Sequence, residues 1–434
     1  MSGTIITEVR VWWRTSLLHL RTLLTNPFFR QISDTFLTRV LGIALGFGAS
    51  VIISRILGPE GRGQFATAVC LGAIGVQFGN LGLPAANTYF VSRDRRKLSA
   101  AVGNSLLVSF VLGSFGAAAA LSVFTTFPEL APVQGTLLWL GLLSVPLGLC
   151  LLLMQNLLLA IQEIRAFNQQ ELSHKILALV MMLCLVPLGW VSPQSVIAVG
   201  LITSVIVSAY ALAVVVRRLE RQRPRLSLPE LRDSLHYGLR AYWATLFAFL
   251  VIRSDLLMVH TLGGSRQSGL YSIAATFADL MLILPIVVGS LLFPRLSQLT
   301  DRRAQWKLTT QTLYGLIPIM LLGLSVCFLA ADLLIQFAYG RPFVPATIAV
   351  LWLLPGVLAM SVNTIIMNCF AAQGMPPVTV YSPALALTVN VLLNLWLIPH
   401  YGIRGAAISS SISYGLMLVM SVCYILGHPS SRGH

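Results

Sequence analysis

Arginines stand inside long apolar stretches of the sequence, among them Arg39, Arg240 and Arg253. A guanidinium group keeps its charge in apolar surroundings, and its planar fork of donors matches the oxygens of an anionic ligand. The three residues are therefore candidates for binding an anion. Arg39 and Arg240 lie near the ends of their stretches, so the alternative for them is that each side chain extends to a polar boundary.

Carboxylates and one lysine have similar surroundings. Asp279 lies near the middle of its stretch, and Asp255 follows Arg253 by two residues, which puts those two side chains on nearly opposite helix faces. Glu171 and Lys175 are four residues apart and can pair along one helix. Lys175 is a further candidate for anion binding, and Asp279, Asp255 and Glu171 are candidates for ion coupling. For Arg253 and Asp279 the alternative is an ion pair between helices.

Amide side chains form a third group of candidates, which includes Asn80, Asn363 and Asn368. They can bind a polar ligand, or they can hydrogen-bond neighbouring helices, which is the commoner role of such residues in a membrane.

Covalent or metal chemistry would need clusters of histidine, cysteine or carboxylate side chains. The seven histidines are scattered, and the six cysteines lie singly in apolar runs without metal-ligand spacing. The sequence also has no GxxxxGK[ST] phosphate-binding motif. These observations predict a chain that is not an enzyme and that holds no metal or other cofactor.

The elements that carry the candidate residues must cross a membrane. The chain has 434 residues, of which 56% are hydrophobic and 10% charged, and its mean hydropathy is +0.82. Soluble domains carry about 25% charged residues. The apolar runs are long enough to cross about 30 Å of hydrocarbon as helices, and they lack strand alternation. The fold class is therefore an all-α integral membrane protein.

Twelve spans follow from the apolar runs. They cover residues 36–57, 64–91, 99–125, 135–161, 168–190, 194–216, 237–261, 268–293, 309–330, 345–372, 377–398 and 404–427. Basic residues concentrate at every second loop, which predicts that both termini are cytoplasmic. The net charge of +15 comes from these loops, so it indicates contact with membrane lipid and not with nucleic acid.

The halves of the chain resemble each other. LGPEGRGQFATA begins at Leu57, and the similar LGGSRQSGLYSIA begins at Leu262, an offset of 205 residues. We expect a parallel repeat of two six-helix lobes, at 36–216 and 236–427, joined by a basic cytoplasmic linker at 217–235. A cytoplasmic segment at 1–35 with an amphipathic interfacial helix precedes them, and a cytoplasmic tail at 428–434 follows.

The same stretches carry a family resemblance. They are RVLGIALGFGASVIISRILGPEGRGQFATA at 39–68, FGNLGLPAANTYFVSR at 78–93, IRSDLLMVHTLGGSRQSGLYSIAATFADLM at 252–281, AAQGMPPVT at 371–379 and NLWLIPHYGIRGAAISSSISY at 394–414. From residue 39 onward the chain resembles polysaccharide flippases of the Wzx type, in the MOP superfamily that also contains MATE multidrug antiporters and lipid II flippases.

This resemblance implies two lobes around a central cavity in a bacterial inner membrane. It implies that a polyprenyl-pyrophosphate-linked oligosaccharide moves from the cytoplasmic to the outer leaflet by alternating access. The arginines and Lys175 would then bind the pyrophosphate, and the asparagines the sugars. Contact with the polysaccharide polymerase machinery is a further expectation. The alternative is a cation-coupled MATE-type multidrug antiporter, and the sequence identifies neither the glycan nor the coupling ion.

Overall fold

The computed structural model describes residues 27–219 and 223–427, and side chains from residue 37 onward except that of Arg240. The predicted interfacial helix, the tail at 428–434 and the side chain of Arg240 lie outside the described residues. Within the described ranges the chain is helical and contains no strand. The predicted all-α class is therefore confirmed.

The described helices follow one another along the chain as α1 Pro27–Gly79, α2 Leu83–Arg93, α3 Leu98–Leu107, α4 Gly113–Thr126, α5 Thr136–Ala160, α6 Ile164–Leu185, α7 Pro193–Arg217, α8 Leu228–Gln298, α9 Arg302–Tyr339, α10 Thr347–Ala372 and α11 Val378–Gly427. A π-helical turn, Val108–Leu112, joins α3 to α4.

Three of the long helices are broken at a glycine. Gly58 has φ 64° and ψ −178°, Gly264 has φ 84° and ψ 175°, and Gly402 has φ 56° and ψ −136°. A side chain would be strained in each of these conformations, which is why the chain turns at glycine. The breaks divide the helices into α1a (27–57) and α1b (59–79), α8a (228–263) and α8b (265–298), and α11a (378–401) and α11b (403–427).

Eight helical segments of the described chain are long and apolar enough to cross a membrane. Three of them contain a break, so their six halves and the five unbroken segments together supply eleven crossings. The remaining crossing is α6, which contains Glu171, His174 and Lys175 and is therefore less apolar. This arrangement is consistent with the twelve predicted spans, and the protein is a multi-pass membrane protein.

The crossings alternate between two faces of the molecule. The basic face contains the connections at 93–98, 161–164, 298–302 and 372–378 and the described parts, 217–219 and 223–228, of the connection that follows α7. The opposite face contains the three glycine breaks and the connections at 126–136, 185–193 and 339–347.

Close helix packing in the first lobe depends on small residues. Gly72, Gly75 and Gly79 face α5 from α1b, and a Cβ atom added to Gly72 would lie 1.9 Å from Ser144 Oγ. Lipid provides no hydrophobic drive for helix association, so close backbone approach and the dispersion contacts it allows are the main attraction. In the second lobe the main core lies between α8b, α9 and α10, around Tyr339, Phe343 and Ile273.

The predicted lobe boundaries at 36–216 and 236–427 stay predictions. Contact between these two parts of the chain is mainly between α1 and α8. The connection that follows α7 lies along the start of α3 in the first lobe, where Ser99 Oγ donates to the carbonyl oxygen of Arg223 at 2.5 Å.

Candidate functional site

Arg253 and Asp279 form an ion pair across the two arms of α8. Arg253 Nη2 donates to Asp279 Oδ2 at 3.0 Å, and the two side chains are 35% and 43% exposed. Arg253 precedes the break at Gly264 by 11 residues and Asp279 follows it by 15, so both lie well inside the helices. The ion pair that the sequence offered as the alternative for these residues therefore exists, and it is open to a ligand on one side.

The pair lies next to the first lobe. Cys70 Sγ of α1b donates to the backbone carbonyl oxygen of Arg253 at 3.3 Å. Arg253 therefore stands on the side of α8a that meets α1b.

Asp255 is buried among helices of the second lobe. It is 1% exposed and accepts hydrogen bonds from Tyr271 Oη at 3.0 Å, from Asn394 Nδ2 at 2.6 Å and from Ser410 Oγ. The donors come from α8b, α11a and α11b. As the sequence indicated, Arg253 and Asp255 occupy different surroundings.

The side chains around Asp255 are Tyr271, Asn390, Asn394 and Ser410. This Asp255 cluster contains more acceptor oxygens than are hydrogen-bonded by its donors. Asn390 Oδ1 accepts from Asn394 Nδ2 at 3.0 Å, whereas Asn394 Oδ1 is buried without a hydrogen-bond partner. Among the described residues no basic side chain pairs with Asp255. The Asp255 carboxyl group therefore has three hydrogen-bond donors and no basic partner within the described helices.

Glu171 and Lys175 form the pair that their spacing predicts. Lys175 Nζ lies 3.4 Å from Glu171 Oε1, and the side chains are partly exposed. A Cβ atom added to Gly42 would lie 2.7 Å from Lys175 Nζ, so the ammonium group packs on α1a. The exposed Arg39 stands one turn before Gly42, on the same face of α1a.

The candidate asparagines make bonds within the protein. Asn80 Oδ1 accepts from the backbone of Gly82 at 2.9 Å and stabilises the turn between α1b and α2. Asn363 Oδ1 accepts from Ser421 Oγ at 2.7 Å, which joins α10 to α11b. Asn368 Nδ2 donates to its own helix at Thr364, at 2.8 Å. The structure therefore gives each of them a structural bond and does not bring the three together.

A seam between the lobes closes the opposite face. A Cβ atom added to Gly63 would lie 1.8 Å from the carbonyl oxygen of Ser265, so the two backbones are in contact. Beside them His260 Nδ1 forms hydrogen bonds with Thr67 Oγ1 at 3.0 Å and with Ser268 Oγ at 2.9 Å.

A second seam joins α2 to the start of α8 at the basic face. Tyr89 stacks on Tyr237, with ring centroids 4.3 Å apart, and Tyr242 Oη donates to the carbonyl oxygen of Phe78 at 2.9 Å. The α1b–α2 segment is thus held against α8a at both faces. The middle of the first span in α1a is less covered, because Gly46 and Gly48 have open space beside them.

Sequence reasoning missed the ligands of Asp255 and the residues of the two seams. Asn390 and Asn394 are four residues apart on one predicted span, and a run of three serines begins at Ser409. These polar groups, at helical spacing on two neighbouring spans, could have indicated a buried polar cluster.

These features define a multi-pass helical membrane protein with charged residues between two packed lobes. The profile of the family described as "Polysaccharide biosynthesis protein" matches residues 52–348, more than half of the chain. The chain belongs to that family.

Curated relatives with flippase names align to part of the chain. The "Probable low-salt glycan biosynthesis flippase Agl15" of Haloferax volcanii is 21% identical over 202 residues, which is 46% of this chain and 43% of the relative. The "Probable flippase AglR" of the same organism is 28% identical over 167 residues, 36% of this chain and 33% of the relative. The aligned regions span less than half of these relatives.

Solved structures show the same fold over nearly the whole chain. The lipid II flippase MurJ in an inward closed conformation has a TM-score of 0.69 at 14% identity, covering 91% of this chain and 87% of MurJ. The Vibrio cholerae MATE transporter VcmN has a TM-score of 0.62 at 16% identity, covering 92% and 97%. The expected likeness to MOP-superfamily proteins is therefore confirmed for the family and the fold.

Proposed function

We propose that the protein moves a polyprenyl-pyrophosphate-linked oligosaccharide between the leaflets of a membrane by alternating access. The observation that carries this proposal is the half-exposed Arg253–Asp279 pair beside the α1–α8 interface. A fixed cation well inside the membrane is the group that a diphosphate needs in order to cross a low-dielectric region. The family match and the flippase names of the aligned relatives support this substrate class.

In this proposal Asp279 is the internal partner of Arg253, and the diphosphate replaces it. Among the described residues, Asp279 is the one side-chain partner of the Arg253 guanidinium, through a single contact. Arginine presents five N–H donors, so a diphosphate can bind before the carboxylate has left. The exchange keeps an anion beside the guanidinium at each stage, which avoids an unpaired charge in the membrane.

Lys175 and Arg39 form the approach from the basic face. Lys175 has the same arrangement as Arg253, with Glu171 as its replaceable partner, and it packs on Gly42 one turn from the exposed Arg39. Arg240 lies at the equivalent end of α8a and is proposed as the fourth cation on the route. The sugars would meet the partly exposed Asn368, whereas the buried Asn80 and Asn363 support the helices around the route.

We propose that the substrate enters from the basic face, beside α1a. The lobes touch at both faces, at Gly63 and Ser265 and at Gly82 and Gly238, while α1a has open space at Gly46 and Gly48. A lipid tail can stay in the bilayer beside α1a as its head group enters between the lobes. The cytoplasmic position of the basic face and both termini, a bacterial inner membrane, and contact with a polysaccharide polymerase stay predictions.

Asp255 is the residue that we propose for ion coupling. It is buried among hydroxyl and amide oxygens, and Asn394 Oδ1 beside it has no partner. Binding of a proton or of Na⁺ at this carboxylate would neutralise it and tighten α11 against α8. Asp279 and Glu171 are weaker candidates for coupling, because each already pairs with a basic side chain.

A multidrug antiporter is the second candidate, and one cavity favours it. The first lobe encloses a cavity of about 290 Å³ between α1, α5, α6 and α7, lined mainly by apolar side chains together with His174 and Ser204. A small organic molecule would fit there better than a diphosphate, since His174 Nε2 is already hydrogen-bonded to Ser204 Oγ at 3.2 Å.

The test is transfer in liposomes of a fluorescent polyprenyl-pyrophosphate sugar placed in one leaflet. Wild-type protein should transfer it, and Arg253→Ala should stop transfer, while Arg266→Ala, which removes an exposed arginine on the opposite face, should not. Proton-driven efflux of an organic cation, with no transfer of any glycan lipid, would contradict the flippase and favour the antiporter.

A further inference from the structure

A buried arginine lies in the opposite-face seam, away from the residues assigned to the route. Arg62 follows the break at Gly58 by four residues and is 8% exposed. Its Nε donates to Ser272 Oγ at 3.1 Å and its Nη2 to Ser50 Oγ at 3.2 Å. Ser50 belongs to α1a and Ser272 to α8b. The guanidinium group therefore connects the two lobes.

Among the described residues, the surroundings of Arg62 contain hydroxyl groups and no counter-ion. Ser50 Oγ also lies 3.4 Å from Tyr339 Oη, and the Phe65 ring centroid is 5.6 Å from the guanidinium carbon. Within the described ranges Arg62 forms no ion pair, whereas Arg253 and Lys175 both do. A buried guanidinium held only by neutral groups is a costly arrangement, and it leaves a net positive charge in the seam.

Arg55 lies at the same seam, but its hydrogen-bond partners differ from those of Arg62. Its side chain is exposed, and it donates to the carbonyl oxygens of Ala338, at 2.8 Å, and Phe337 at the end of α9. Helix ends leave such carbonyl groups without partners, so Arg55 has an evident structural role. Arg62 makes no comparable bond to a backbone acceptor among the described residues.

We propose that Arg62, with Ser50 and Ser272, forms a second diphosphate-binding site that is closed in this conformation. The site rests on the proposed function, because it requires the opposite face to open in the transport cycle. Opening separates Ser272 from Arg62 and exposes a guanidinium without a counter-ion. A diphosphate then binds there, with the serine and tyrosine hydroxyls as further donors.

Such a site gives the diphosphate two successive positions. Arg253 binds it while the opposite face is closed, and Arg62 binds it once that face is open. A ligand that binds only the open seam must shift the conformational equilibrium toward the open form. The arriving head group would therefore hold the exit open until it leaves, and the guanidinium would then return to Ser272.

The experiment measures opening of the seam with free inorganic pyrophosphate and no lipid substrate. A reporter cysteine, Thr67→Cys, replaces a fully buried seam residue in a Cys184→Ala/Cys423→Ala background, which removes two exposed thiols. Protein in nanodiscs is labelled with a hydrophilic thiol reagent, with and without pyrophosphate, and the background without the reporter is subtracted. Pyrophosphate at ten times its dissociation constant should raise the labelling rate up to about tenfold.

Three comparisons decide the result. Arg62→Gln should abolish the pyrophosphate effect, Arg62→Lys should keep part of it, and Arg55→Gln should leave it unchanged. An equal effect of pyrophosphate in Arg62→Gln and the parent protein would refute the site, and so would no effect in both the parent and Arg253→Ala. The effect should be at least as large in Arg253→Ala, where pyrophosphate no longer binds the closed form at Arg253, and this variant separates the site from the proposed route and from any failure of lipid transfer.

Discussion

Gly63 and Gly269 pack backbone to backbone across the two lobes. A Cβ atom added to Gly269 would lie 1.8 Å from the carbonyl oxygen of Pro59 and 3.1 Å from the amide nitrogen of Gly63. Each glycine follows a helix break, at Gly58 or Gly264, by five residues. The contact therefore joins equivalent positions of the two repeated units, and it closes the opposite face.

Adding one methyl group at this contact should open the seam. Gly63→Ala or Gly269→Ala would place a carbon against backbone atoms, which cannot rotate away as a side chain can. Overpacking of this kind costs about 1–3 kcal/mol, which corresponds to about a fivefold or larger shift toward the open form. The labelling rate of the Thr67→Cys reporter measures that shift.

Gly46→Ala is the matched control, because Gly46 lies in the same long helix with open space beside it. All three substitutions have the same effect on helix propensity. Equal labelling rates in Gly63→Ala and Gly46→Ala would show that the seam is not held by this contact.

Substitutions of the Arg253–Asp279 pair should separate ligand binding from structure. Asp279→Asn weakens the internal partner of the guanidinium, so the protein should bind a short-chain prenyl diphosphate sugar about tenfold more tightly, the typical scale of a charge-assisted bond. It should also transfer the full substrate more slowly, because the carboxylate no longer displaces it.

The double variant Arg253→Ala/Asp279→Ala tests the alternative. If the pair only supports the helices, removing both charges should restore transfer that Arg253→Ala alone abolishes. We expect no restoration, since the diphosphate has lost its cation. Binding titrations and transfer assays on the same preparations distinguish these outcomes.

The spans were predictable because a segment that crosses lipid must be apolar and long enough to cross as a helix. Every backbone group of a crossing segment must be satisfied within it, so the apolar runs mark the helices directly. The LGPEGRG stretch also marked the first turn, since glycine is required at Gly58. The sequence did not show that the chain is helical immediately before and after Gly58, Gly264 and Gly402. The φ and ψ angles of these three glycines determine where the helix direction changes.

The candidate site was predictable only where one helix determines it. Glu171 and Lys175 pair at i, i+4 as their spacing requires. The ion pair of Arg253 and Asp279 could be offered only as an alternative, because the rotation of the chain at Gly264 sets which side chains meet. The partners of Asp255 come from three other helical segments, and a single sequence carries no record of that packing.

Asp255 should determine the dependence of transport on an ion gradient. Asp255→Asn keeps the size of the side chain and removes its charge, so the variant should fold and its transfer should no longer respond to an imposed gradient. Transfer rates in liposomes with a Na⁺ gradient alone, or a proton gradient alone, identify the ion. Asp332→Asn is the control, since Asp332 of α9 is an exposed carboxylate that accepts a hydrogen bond from Thr347 at the start of α10.

Asp255→Ala should behave differently from Asp255→Asn. It would remove the acceptor that Tyr271, Asn394 and Ser410 share. Their remaining bonds are to one another, to Asn390 Oδ1 and to the Ala406 carbonyl oxygen, so the loss should cost about 1–3 kcal/mol in total. Thermal unfolding should therefore occur at a clearly lower temperature in Asp255→Ala. A gradient response that survives in Asp255→Asn would exclude Asp255 as the coupling residue.

Asn104 of α3 should hold the segment between α7 and α8, which joins the two lobes, in contact with the first lobe. Its Nδ2 donates to the carbonyl oxygen of Ser227 at 3.0 Å, and its Oδ1 accepts from the Ser227 amide at 3.1 Å. Asn104→Ala removes both bonds and leaves two backbone groups without these partners, which costs about 1–3 kcal/mol. The connection should then detach locally about ten times more often, since 1.4 kcal/mol is one factor of ten.

Limited proteolysis with trypsin measures this detachment, because the exposed Arg225, which is followed by Leu226, lies in the connection. Cleavage there should accelerate by about that factor in Asn104→Ala, following the population of the open form. Asn156→Ala is the matched control, since Asn156 bonds to the carbonyl oxygen of Leu152 in its own helix. If the two variants are cleaved at the same rate, the neighbouring bond between Ser99 and Arg223 is sufficient to hold the connection in place.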